Sequence, residues 1–267
     1  LGEVYQRQVV VLLTIMSLSA CSSGPPKLPY PAFVQADELE DIFMASLPGI
    51  RGKQLAGDPL TRRTSNRIDL PADWSGTSGG APGRSMEIFV LAGRLRIADI
   101  ELDSGGYAFL PAGSLGFNLK STQGARILYF LNNTDPESVI RAPLIIDADI
   151  LHWHPTETAG IAIKELRSDP GNGARTWLLR VEAGASVPWQ SSSAVREGYL
   201  VAGNYQHSEC ALGEVHTALY TPGGYFYRPG NTVNGGPLSG GTGDAIWFLR
   251  ETEKGTETVA PGCEPIS

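Results

Sequence analysis

Two short stretches gather side chains of the kinds that bind metals or move protons. HWHPTE sets His152 and His154 two residues apart, with Glu157 close behind. Alternate residues of a strand share a face, so such a pair could present two imidazoles to one ion. HSECALGEVH gathers His207, Glu209, Cys210, Glu214 and His216, again donors of metal-binding type. The plainer readings are an arm on the surface or between domains for the first, and a long hairpin with polar faces for the second. Other chemistries find less support. GTSGG and SGGTGD are glycine-rich, but no helix opening with Lys-Ser/Thr follows them. No G-x-S-x-G stands in a strand-to-helix setting, which argues against a hydrolase triad.

These groups need a scaffold, and the chain describes one. It has 267 residues, net charge −7, 32 glycines and 19 prolines. Without a basic run, nucleic acid is not an expected partner. Apolar segments of four to seven residues rich in Ile, Leu, Val, Tyr and Phe alternate with Gly, Pro, Asn and Asp turns, which predicts an all-β protein. One helical turn is expected around DELEDIFMASL, with Asp37 as a possible cap.

The chain also repeats itself. GIRGKQLAGDP at Gly49 is answered by GIAIKELRSDP at Gly160, and EIFVLAG at Glu87 by EGYLVAG at Glu197. SGGYAFLPAG at Ser104 parallels PGGYFYRPG at Pro222, and ARILYFL at Ala125 parallels DAIWFLR at Asp244. Ordered matches at a nearly constant offset predict two copies of one domain, at 37–148 and 149–256, each a small antiparallel barrel or jelly roll, followed by a tail at 257–267.

The first residues have another character. VVVLLTIMSLSAC is an apolar run ending in small residues and a cysteine, which predicts a secretory signal over 1–21. LSAC matches the bacterial lipobox, so Cys21 is the expected lipidation site, and SSGPPKLPYPAF gives a flexible tether over 22–36. The expected location is the cell envelope, anchored by lipid to the outer membrane and facing the periplasm. With Cys21 so assigned, Cys210 and Cys263 remain as a disulfide pair in an oxidising compartment.

The repeat resembles the cupin superfamily, whose first motif is G-x5-H-x-H-x3-4-E-x6-G and whose second is G-x5-P-x-G-x2-H-x3-N. More narrowly, the K-x-L-x-x-D-P frame and GGYFYRPG resemble an uncharacterised bicupin family related to the cupin domain of ChrR-type anti-sigma factors. The resemblance covers roughly residues 45–252 and implies double-stranded β-helix barrels in tandem. It also implies three imidazoles and a carboxylate around a divalent metal. Placed by its glutamate, the motif puts Gln190 and Ser192 where histidines would stand, ahead of Glu197, with Asn234 at the third place. The first copy has Gly80 and Pro82 ahead of Glu87, and Gly116. No metal is therefore expected. Gln190, Ser192, Glu197 and Asn234, with Tyr225 and Tyr227 on the neighbouring strand, should converge on a pocket for a polar small molecule. The expected function is a binding or scaffold module, with a homodimer compatible. The alternative is a divergent metal-dependent enzyme of dioxygenase or isomerase type.

Overall fold

The computed structural model describes residues 26–78, 83–114, 116–133 and 135–263. Cys21, Gly80 and Pro82 lie outside these described residues. Among the described residues the protein is all-β: its elements are strands and two single-turn 3-10 helices. Two seven-stranded antiparallel sheets dominate, and their orders correspond strand for strand. In the first sheet the central run is Gly106–Leu110, Arg84–Gly93, Ala125–Asn133, Arg63–Leu70, Arg51–Asp58 and Asp41–Phe43. In the second it is Gly224–Arg228, Arg196–Ala202, Ala245–Glu251, Arg175–Val181, Ile161–Ser168 and His154–Pro155.

The edge strands are exchanged. Val34–Gln35, which leads into the first half, pairs with Tyr225 and Gly224 of the second sheet. Leu144–Asp147, which leads into the second half, pairs with the first sheet at Gly106–Phe109. The segment read as a free tether is thus packed over its last residues. Phe33 is buried in the second half's core, its backbone N–H donating to Tyr220 Oη at 2.9 Å. Pro31 O accepts from Tyr227 N at 2.7 Å. The expected helix is only Ala36–Glu38; Asp37 does not cap it but pairs with the buried guanidinium of Arg67.

Strand alternation divides the apolar residues among three cores. Met86, Ile88 and Val90 face a core closed on its far side by Leu95, Ile97 and Leu119 of a smaller sheet. Leu200, Trp247 and Leu249 face an equivalent core in the second half, closed by Tyr205 and Tyr220. The opposite faces of the two large sheets carry Phe89, Tyr107, Phe130, Leu178, Tyr199, Tyr225 and Phe248, which form a third core along the seam between halves. Each half is a sandwich of open sheets; neither large sheet closes on itself as the sequence reading of barrels supposed.

The HSECALGEVH stretch of the second half lies in a hairpin, Tyr205–Ala211 with Glu214–Tyr220. Leu212 and Gly213, at φ 55° and 79°, form its two-residue turn. Its outer strand is half exposed, but its inner strand is not polar surface: His207 and Glu209 are buried. Cys210 is disulfide-bonded to Cys263, tying this hairpin to the C-terminal tail.

Candidate functional site

Glu197 does not join Gln190 and Asn234. It lies on the other face of its strand, in the seam. Its Oε2 accepts from Ser65 Oγ of the first half at 2.6 Å and from Tyr225 Oη at 3.0 Å. Arg250 Nη1 stands 3.3 Å from its Oε1. Glu87, its counterpart in the repeat, does the same from the other side. Its Oε1 accepts from Tyr107 Oη at 2.6 Å, and from Thr176 Oγ1 and Arg167 Nε of the second half at 2.6 and 3.0 Å. Arg250 Nη2 lies 2.8 Å from Glu87 Oε2 and donates to Asn132 at 2.6 Å. One buried guanidinium therefore joins both repeat glutamates across the seam. Burial alone would raise the Glu87 pKa, but Arg167 and Arg250, with the Thr176 and Tyr107 hydroxyls, bring it down to about 2. Tyr107 and Tyr225 are pushed well above the ordinary phenol value by burial and by the carboxylates they bond.

The misplacement has a simple cause. The family frame has six residues between glutamate and glycine, whereas this chain has five from Glu87 to Gly93 and from Glu197 to Gly203. Counting from the glycine, the motif glutamate falls on Met86 and Arg196. A slip of one residue in a strand reverses the face, and these two do face inward. Met86 joins the apolar core of the first half. Arg196 donates to Glu251 at 2.9 Å and to Glu257 at 2.6 Å.

The interior of the second half is therefore ionic. Ser192, at a former ligand place, donates to Glu251 at 2.9 Å, and Arg175 Nε donates to the other oxygen of that carboxylate at 2.8 Å. Arg228 forks onto Glu209 at 2.9 and 2.5 Å, with its Nη2 3.0 Å from His207 Nε2. Tyr30, from the exchanged arm, donates to Glu209 at 3.1 Å. Asn234 holds Gln190 through its backbone, at 2.9 and 2.8 Å, and through its amide at 3.2 Å. The cavity that remains among Gln190, Arg196, His207, Arg228 and Asn234 is about 40 Å³, enough for one or two waters. Tyr227 belongs to the seam and lines a different cavity with Glu197.

The arrangement does not fit a divalent metal. The carboxylate place is taken by a guanidinium, which carries no lone pair to give. His207 is the one imidazole inside, and burial lowers its pKa to about 4. His152 and His154 are exposed on an edge strand and its approach, and His216 is on the hairpin's outer strand. Gly116 is exposed as well. Among the described residues no three His, Cys, Asp or Glu side chains gather as ligands. Sequence reasoning missed Arg196, Arg228 and Arg250; the six-residue spacing signals Arg196, while Arg228 and Arg250 lie on other strands, outside the motif.

Similar proteins agree with the fold. A proposed dioxygenase from Nostoc punctiforme superimposes with TM-score 0.68 at 18% identity, over 88% of this chain and 89% of that one. Protein Ylba of E. coli gives 0.68 at 15% identity, over 84% and 93%. A Bacillus subtilis oxalate decarboxylase variant gives 0.61 at 10% identity, over 85% and 78%. At such identities the likeness carries the cupin fold and not the activity. No curated protein matches the sequence. The family model of a domain of unknown function, DUF4437, matches residues 45–255, and the chain belongs to that family.

Proposed function

We propose that this protein is a bicupin binding or scaffold module that works without a metal, held at the cell envelope by lipid on Cys21. Each half corresponds to one cupin unit. The observation that carries the reading is Arg196: a cation clamped by Glu251 and Glu257 stands where the family frame puts a metal-binding carboxylate. With Arg228 beside it, the interior has guanidinium groups where a metal needs donors, and its carboxylates Glu209 and Glu251 are already taken by those groups. The enzyme alternative needs a donor set, and His207 is already committed to Arg228 and Glu209. The lipobox and the Cys210–Cys263 bridge are both consistent with an oxidising compartment.

Thermal scans test the metal-free reading. Chelator, Zn, Mn, Fe(II) and Ni should each leave the midpoint unmoved; stabilisation that saturates at one metal per chain would favour the enzyme. Lipidation is tested separately. Cys21→Ser should move the protein from membrane to soluble fractions, and unchanged retention would remove the anchor.

A further inference from the structure

The seam holds more space than the cavity inside the second half. Two cavities of about 280 and 320 Å³ share Arg63, Asn132, Arg250 and Thr252 as walls. These volumes sit at or just below the lower end of the roughly 300–1,000 Å³ usual for ligand sites, room for a small molecule. The smaller cavity is lined by four arginines, Arg63, Arg141, Arg167 and Arg250, against one lining carboxylate, Asp135. That is an unusual concentration of positive charge in a chain of net charge −7.

The four differ in what holds them. Arg167 and Arg250 are buried and fixed by Glu87. The Nε–H of Arg250 has no acceptor among the described residues. The guanidinium groups of Arg63, half-buried, and Arg141, exposed, make no ion pair among the described residues, although Arg63 stands opposite Asp58 and helps to lower its pKa. Asp135 makes no ion pair with them among the described residues; its oxygens accept from Asn172 Nδ2 and Glu137 N, both at 2.9 Å. Ser85 and Asn133 line the same wall with no side-chain hydrogen bond among the described residues, and Phe109 and Ile140 supply an apolar side. A guanidinium fork matches a carboxylate or phosphate in two parallel hydrogen bonds.

We propose that this seam cavity binds a small organic anion, a carboxylate or a phosphate ester, gripped by Arg63 and Arg141 above the fixed Arg167 and Arg250. The proposal deepens the binding reading above. Its failure would leave the metal-free claim standing, because the two rest on different residues and different readouts.

Calorimetric titration with succinate, citrate, glycerol phosphate and uncharged succinamide tests it. At least one anion should bind at one site per chain and succinamide should not; binding by the carboxylates or by the phosphate ester assigns the head group. Arg63→Gln and Arg141→Gln should each weaken binding roughly tenfold or more, as loss of a charge-assisted bond implies. The fold should survive, since neither guanidinium makes an ion pair among the described residues and Arg63 meets Asp58 only at the exposed end of its strand pair. Arg96→Gln, in the distant smaller sheet, controls for surface attraction and should change nothing. No binding by any anion at 10 mM ligand (an order-of-magnitude ceiling for metabolites), or binding that both seam variants retain, would overturn the site.

Discussion

Glu87 keeps its charge in a fully buried position because three donors from both halves converge on one oxygen and the Arg250 guanidinium lies 2.8 Å from the other. Glu87→Gln would keep the shape but leave Arg167 without its counter-charge and Arg250 with Glu197 alone. Breaking a buried pair from one side costs about 3–5 kcal/mol, and urea unfolding should show a loss of that order. His207 and Glu87 also set the pH response. His207 has a folded pKa of about 4 against 6.5, so the unfolded chain takes up its proton first as pH falls. Stability from it is complete above about pH 6.5 and is lost progressively down to pH 4. Glu87, at about 2 against 4.5, adds a second loss between about pH 4.5 and 2. Each shift corresponds to roughly 3 kcal/mol. Urea midpoints should therefore fall in two overlapping stages, and His207→Gln should flatten the upper one. A constant midpoint between pH 7 and 4.5 would contradict the burial assigned to His207.

At the scale of elements, two ties lie outside the repeated strands. The Cys210–Cys263 bridge closes a loop with a sequence separation of 53 residues. In the chain-entropy model such closure stabilises by about 4 kcal/mol, so Cys263→Ser should lower the unfolding free energy by up to that amount. The exchanged arm is the second tie. Phe33 is buried against Tyr220 with ring centroids 5.0 Å apart, and Phe33→Ala should cost about 3–5 kcal/mol. An unchanged midpoint would mean that the arm is the tether the sequence suggested. Strands, turns and the repeat were legible because period-two apolar runs and glycine turns are local signals. The exchange of arms was not, since nothing in VQ or LIID names its partner strand. Nor was the orientation of Glu197 legible once the motif was aligned on a glutamate instead of its glycine. One residue of phase moved it from the interior to the seam, and Arg196 took its place.

Across the molecule, the two halves are bound by a shared apolar core, by Arg250 between their glutamates, and by reciprocal edge strands. They should unfold in one calorimetric transition, whereas residues 149–263 expressed alone would expose the seam face around Tyr225 and Phe248 and aggregate. Two separate transitions in the intact chain would contradict this coupling. The central claim, though, concerns the second half's interior, where arginine side chains take the place of a metal and its ligands. Elemental analysis tests it most directly. The protein should be purified without chelator, equilibrated with Zn, Mn, Fe(II) and Ni, and desalted. The account predicts well under one equivalent of any of these per chain, with Arg196→Gln no different. One tightly held equivalent, lost on replacing His207 or Glu209, would contradict it.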